Sequence, residues 1–268
     1  MMDLKTVYAT TRTLARQAGE VLLRYYEQPH QEEGKSTVLD IVTEADKAAE
    51  SFLVEALRTQ FPDHHIVGEE GGGRGAPADE AAYFWYVDPV DGTANFANNL
   101  PLFCVSLGLA DREQTPLVGA VFNPVSDELY SAVRGGGATM NDRALHVSSR
   151  DTLAQSIVGT GFPPDRRGTS LDNLEHWRNF TLRTRGTRRL GSAALDLCFV
   201  AMGRLDGFWE PQLNRWDYMA GMLIVQEAGG QVTDFVGGHE RLLNSGELLA
   251  SNGHIHAAMI ATLQDDGS

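Results

Sequence analysis

The sequence predicts mixed α and β structure, with an antiparallel sheet in the first half and alternating helices and strands in the second. Two patterns carry this. Between residues 83 and 133, apolar runs succeed one another with turn signals and no helix-length segment between them, which marks antiparallel strands. From about Ser148 onward, strand-like and helix-like segments alternate, the mark of α/β organisation. The chain has 268 residues, enough for a substantial core, and no Pro- or Ser-rich linker divides it. Two lobes, 1–147 and 148–268, sharing one cleft are the economical arrangement.

Each element has its own signal. Leu4, Val7, Tyr8, Leu14, Ala15, Ala18, Val21, Leu22 and Tyr25 recur at spacings of three and four, which predicts a long amphipathic helix ending before Pro29. The polar stretch from His30 to Asp40 reads as an exposed loop. Thr43-Glu-Ala-Asp46 resembles a capping box and opens a second helix running to about Gln60. His64–Gly68 reads as a strand and Glu69–Gly75 as a flexible glycine-rich loop. Tyr83–Val87 is a buried strand, followed by strands at Phe103–Ala110, Pro116–Phe122 and Glu128–Val133. The second half predicts a strand at Ser156–Thr160, a helix at Leu171–Leu182, a strand at Thr187–Leu190 and a helix at Ser192–Met202. Then come a strand at Asp206–Trp209, a helix at Asp217–Ala228 closed by Gly229-Gly230, strands at Gln231–Phe235 and Glu247–Ala250, and a helix at His254–Leu263.

Composition narrows the function. A formal charge of −14, from 22 basic and 36 acidic residues, disfavours nucleic acid and anionic membrane as partners. A phosphate ester would then need cations other than Lys and Arg. Cys104 and Cys198 sit in apolar runs and read as core residues, without zinc-ligand spacing. No leader-like or membrane-spanning segment is visible, so a soluble cytoplasmic protein is expected.

Chemistry concentrates in three acidic stretches. In Asp88-Pro-Val-Asp-Gly-Thr-Ala-Asn-Phe96, two carboxylates stand three residues apart where a buried strand ends. Pro89 fixes its own φ and restrains Asp88. Such carboxylates repel, and a divalent cation with all-oxygen ligands (Mg²⁺, Mn²⁺ or Ca²⁺) relieves the repulsion. Taken alone, such a pair is more often a turn with capping acids. Glu69 and Glu70 follow the strand at His65–Gly68, and Glu69 is placed to join them. Asp217 in Trp216-Asp-Tyr-Met-Ala-Gly221 opens a helix, where its local role is an N-cap.

Gly68-Glu-Glu70, Asp88–Phe96 and Trp216–Gly221 together resemble the three signature motifs of the inositol monophosphatase family. Arg189-Leu-Gly-Ser-Ala-Ala-Leu-Asp196, Asp206-Gly-Phe-Trp-Glu210 and Glu227-Ala-Gly-Gly230 resemble its bacterial members. The likeness covers essentially the whole chain. One departure is Asn98, where many members carry His two residues after the Phe; that position is not a metal ligand in the family.

The resemblance implies a layered αβαβα sugar-phosphatase fold and Mg²⁺-dependent, lithium-sensitive hydrolysis of a phosphate monoester, with two or three Mg²⁺ (Mn²⁺ possible) per site. It further implies that Glu69, Asp88 and the Val90 carbonyl hold one metal, and Asp88, Asp91 and Asp217 a second. Gly92 and Thr93 would offer backbone amides to the phosphate. Thr93 with Glu69, and Asp46 through Thr93, would orient and deprotonate water. Lys35 and Asp40 match a loop near a third metal, and Ala193 and Glu210 match positions that contact inositol hydroxyls. A homodimer is usual. Myo-inositol monophosphate is the expected substrate: Asn95 stands where relatives acting on adenosine bisphosphate or histidinol phosphate carry Lys-Glu or Lys-Ser. Fructose bisphosphate and NADP are the alternatives within the superfamily, and a non-catalytic binding protein on the same scaffold is the alternative of another class.

Overall fold

The computed structural model describes residues 2–28, 33–34, 41–163 and 172–265. Two helices, α1 (Leu4–Leu23) and α2 (Glu44–Gln60), form an outer layer. Each is amphipathic, burying Val7, Leu14, Ala15, Ala18 and Leu22 from α1 and Ala45, Ala49, Leu53 and Leu57 from α2. The capping box of α2 forms as expected, with Thr43 and Asp46 satisfying each other's orphan amides. Between the helices, β1 (Glu33–Gly34) and β2 (Ile41–Val42) pair as a short antiparallel ladder where a loop is expected.

The first sheet has eight strands in the order β10-β9-β8-β7-β6-β5-β3-β4. These are β3 (His65–Gly68), β4 (Gly72–Gly75), β5 (Tyr83–Asp91), β6 (Cys104–Asp111), β7 (Pro116–Asn123), β8 (Glu128–Val133), β9 (Ala138–Met140) and β10 (Arg143–Ala144). Three expectations are corrected here. The sheet is mixed, because β3 runs parallel to β5. The glycine-rich segment after Glu69 contains β4, which pairs with β3 and covers that strand's free edge. Strand β5 does not stop at Val87 but runs to Asp91. Pro89 has no N–H for the ladder, so the register breaks after Asp88↔Ser106 and resumes at Asp91↔Cys104 across a bulge.

Alternation along β5 assigns its two faces. Trp85 and Val87 pack with α1 and α2, while Tyr86 and Phe84 face the opposite core. That second core is filled by α5 (Ala193–Ala201) and α6 (Arg215–Glu227). Beyond them lies a five-stranded sheet ordered β12-β11-β13-β15-β14, from β11 (Ile157–Thr160), β12 (Gly186–Arg188), β13 (Gly207–Glu210), β14 (Gln231–Thr233) and β15 (Leu248–Ser251). Its outer face packs on α4 (Leu174–Arg183) and α8 (His256–Leu263), with α7 (Glu240–Ser245) a short connector. The layers therefore alternate as helices, sheet, helices, sheet, helices, with three apolar seams between them.

The expected lobe boundary at 147/148 falls between β10 and β11, and α5 and α6 are shared between the two sheets. Helix α4 begins at Leu174 rather than Leu171, behind Asn173, whose φ of 63° is left-handed. Strand β12 ends at Arg188, earlier than expected. Cys104 and Cys198 are buried free thiols. Among the described residues, no helix is long and apolar enough to cross a membrane.

Candidate active site

The parallel pairing of β3 with β5 builds the first half of the site. Gly68 stands opposite Val87, so the residues that follow, Glu69 and Asp88, emerge side by side, and the Glu69 amide donates to the Val87 carbonyl at 3.2 Å. The Glu69 carboxyl lies beside that of Asp88 and raises its proton affinity. One turn below on α2, Glu50 is 4 % exposed and its Oε2 accepts the Glu70 amide at 2.7 Å, fixing the turn that carries Glu69.

The bulge in β5 sets Asp88 and Asp91. Asp88 accepts the Val90 amide at 2.9 Å. Asp91 is clasped by the N-terminus of α5: Ser192 Oγ and the Ala194 amide each donate to its Oδ2 at 2.6 Å, and the Ala193 amide donates to its Oδ1 at 3.3 Å. Gly92 follows with φ 96°, a conformation costly for any side-chain-bearing residue, and turns the chain into α3 (Thr93–Ala97). Thr93 Oγ1 lies 3.1 Å from both Asp46 Oδ1 and the Val90 carbonyl, its two acceptors. Asp46 is fully buried, and its other oxygen accepts from Thr43 N and Oγ1 at 3.0 and 2.6 Å.

Asp217 arrives on α6. This helix lies close to the first sheet because Gly108 and Gly119 have no side chain: a Cβ there would meet the Ala220 backbone at 2.9 and 2.8 Å. Asp217 is not the N-cap that local sequence suggests. Asn214 is, and Asp217 in the third helical position accepts the Asn214 amide at 2.6 Å. The pattern Asn-x-x-Asp was legible as a capping box.

The electrostatics record this convergence. Burial pushes the Asp88 carboxyl well up, reinforced by Glu69, Asp91 and Asp217. Asp217 is likewise pushed well up by burial, then by Asp91 and Glu69. Asp91 rises to about 6, again chiefly through burial, its hydrogen bonds from Ser192 and Ala194 holding it down. No Lys or Arg is prominent among the groups that set these three acids, and none pairs with them among the described residues. No three acids, histidines or cysteines among those residues are already gathered to ligand distance around one point. Their oxygens instead rest on neighbouring protein donors.

A cleft of about 220 Å³ opens over the cluster, lined by Glu69, Asp91, Ala193, Asp196, Glu210 and Asp217 among others. Two larger hollows, of about 590 and 530 Å³, lie against the outer face of α2 and beside Trp216 and Leu243, and none of the four acids lines either. The structure thus brings Asp46, Glu69, Asp88, Val90, Asp91, Gly92, Thr93, Ala193, Glu210 and Asp217 to one region, whereas Lys35 and Asp40 lie outside the described residues. Sequence reasoning missed Glu50, Ser192, Asn214 and Asp196. Glu50 was findable, since it follows Asp46 by one helical turn.

Five alternating layers with a cleft over buried carboxylates define a protein of the sugar-phosphatase fold class. The chain belongs to the inositol monophosphatase family, which it matches over residues 3–268. It is 42% identical over 262 residues to the inositol-1-monophosphatase of Rhizobium meliloti, covering 97% of this chain and 94% of that one. It is also 42% identical over 259 residues to the Nus factor SuhB of Pseudomonas aeruginosa, covering 93% of each. Among solved structures, the inositol monophosphatase from Anabaena (Nostoc) superposes with a TM-score of 0.89 at 40% identity, covering 98% of this chain and 97% of that one. The family supports a metal-dependent phosphatase.

Proposed function

We propose that the protein hydrolyses a phosphate monoester of a polyol, myo-inositol monophosphate foremost, with Mg²⁺ as cofactor. The observation that carries this is the meeting of Glu69, Asp88, Asp91 and Asp217, with Asp88 and Asp91 buried and the other two half-buried. Neighbouring acids raise the proton affinity of Asp88, Asp91 and Asp217 there, and no basic side chain among the described residues pairs with them. An all-carboxylate donor set with the Val90 carbonyl beside it suits a hard divalent cation, Mg²⁺ or Mn²⁺. Glu69, Asp88 and Val90 would hold one ion, and Asp88, Asp91 and Asp217 another. Bound there, such ions supply charge neutralisation for the phosphate and make water more acidic.

The chain's own groups supply the rest. Thr93 donates to Asp46, so a proton that the threonine hydroxyl takes from water has a buried carboxylate to receive it. The Gly92 and Thr93 amides head α3 and face a phosphoryl oxygen. Glu69 orients the attacking water. Ala193 and Glu210 flank the alcohol half of the ester in the cleft. Phosphoryl transfer requires mainly positioning and charge stabilisation, so no histidine is needed.

The partner is then a small phosphate ester rather than nucleic acid, which the charge of −14 also favours. A homodimer in the cytoplasm completes the reading by family likeness. Relatives named inositol-1-monophosphatase and relatives named Nus factor SuhB are equally similar to the chain, so the substrate reading rests on the site rather than on a relative's name. A non-catalytic scaffold is disfavoured because Asp46, Thr93 and the four acids are all retained. Turnover on inositol 1-phosphate, fructose bisphosphate and NADP in Mg²⁺ tests the substrate: a tenfold preference for either of the latter two displaces inositol phosphate, and no turnover on any displaces the enzyme.

A further inference from the structure

We propose that Asp196 is a specificity-determining residue, which with Glu210 forms a two-carboxyl subsite for a pair of hydroxyls on the alcohol half of the substrate. This rests on the phosphomonoesterase reading above and extends it to a residue that local sequence leaves as an ordinary helix position.

The geometry starts at the end of β11. Gly159 lies in β11 and Gly161 directly follows its last residue, Thr160. A Cβ at Gly159 would stand 2.9 Å from Asp196 Oδ1, and one at Gly161 would overlap the Glu210 carboxyl. The two glycines are thus a floor cut away beneath two carboxyls, one from the first turn of α5 and one from the end of β13. Both line the cleft that also contains Glu69, Asp91 and Asp217.

Neither carboxyl has a hydrogen-bond partner among the described residues. Asp196 is 1 % exposed, yet its Oδ1 has no hydrogen bond. Glu210 likewise receives no hydrogen bond from the described residues, and neither acid is ion-paired there. Arg189 acts on both only through space. Buried polar groups in folded proteins are nearly always satisfied, so an unsatisfied one inside a cleft calls for an occupant. Burial first, and then neighbouring acids, pushes Asp196 well up and Glu210 to about 8, which favours neutral carboxyls. A neutral carboxyl carries one donor and one acceptor and so matches a hydroxyl, which is both. Two of them lining one cleft match a polyol better than a single alcohol or a second phosphate, whose charge the neighbouring acids would repel.

The test compares wild type, Asp196→Leu and Asp196→Asn on myo-inositol 1-phosphate and on cyclohexyl phosphate, the same ring without hydroxyls. For Asp196→Leu, KM for inositol phosphate should rise about tenfold with kcat kept within about threefold, so that the preference for the hydroxylated ring falls about tenfold. Asp196→Asn retains shape and hydrogen bonding and should lose about threefold, which keeps the test informative if the leucine variant fails to fold. A preference unchanged within about twofold in the folded variants overturns the proposal while leaving the phosphatase intact. Wild type that hydrolyses neither ester overturns the phosphatase reading, and the subsite with it.

Discussion

Glu69 and Asp88 leave neighbouring parallel strands at the same edge, with Gly68 opposite Val87, and Glu69 raises the proton affinity of Asp88. A sheet that was antiparallel throughout would not deliver both acids to one end. Metal-free protein therefore carries a partly buried cluster of like charges. Mg²⁺ should raise the melting temperature, by the equivalent of roughly 2.7 kcal/mol at 100 times the dissociation constant if only the native state binds. Scanning calorimetry with and without chelator checks this, and identical curves would count against a preformed site.

Thr93 and Asp46 form the proton path. Thr93→Ala should lower kcat by about 100-fold or more with little change in KM, within the range of general acid–base contributions. Asp46→Asn should lose activity similarly and also stability, because Asp46 caps α2 through the Thr43 amide. Steady-state kinetics alongside thermal melts separates the two effects.

Glu50 acts through the Glu70 amide, which its Oε2 accepts at 2.7 Å. Glu50→Ala should weaken Mg²⁺ binding several-fold by loosening the turn at Glu69, whereas Glu50→Gln keeps an acceptor oxygen and should restore most of the affinity. Calorimetric titration of Mg²⁺ into each variant decides it. Equal weakening in both would show that the negative charge, rather than the hydrogen bond, is what matters.

Gly119 lets α6 approach the sheet, since a Cβ there would meet Ala220 O at 2.8 Å. Gly119→Ala should destabilise by about 1–3 kcal/mol, the usual cost of overpacking. It should also lower activity by displacing Asp217. Denaturant melts and turnover measured on the same preparation test both consequences.

His256 is buried between Ser251 Oγ at 2.8 Å and Thr233 Oγ1 at 2.9 Å, and burial pushes it down to about 4. The unfolded chain therefore takes up its proton first as pH falls. Stability from the neutral ring is complete above the unfolded value of 6.5 and lost as pH drops toward 4. Melting temperatures from pH 7.5 to 4.5 should fall more steeply for wild type than for His256→Gln; parallel profiles would contradict the assignment.

Much of the site was legible because its residues lie in short, chemically distinctive runs. Asp88, Asp91 and Thr93 share one segment, and the box at Thr43 and Asp46 writes its own local structure. What sequence could not supply was register and approach. The β3–β5 pairing is parallel although the strands around it are antiparallel, and no local pattern announces that. The continuation of β5 through Pro89 depends on a bulge against β6. Asp196 looked like one helix residue among others, because its neighbourhood is made by Gly159 from a distant strand.

The most direct measurement is phosphate release from myo-inositol 1-phosphate as Mg²⁺ is titrated into chelator-treated protein, for wild type and Asp91→Asn. Turnover that is absent without the cation, rises saturably with it, and is lost in Asp91→Asn is what the convergence of Glu69, Asp88, Asp91 and Asp217 predicts. Undiminished turnover in chelator, or a fully active Asp91→Asn, would contradict it.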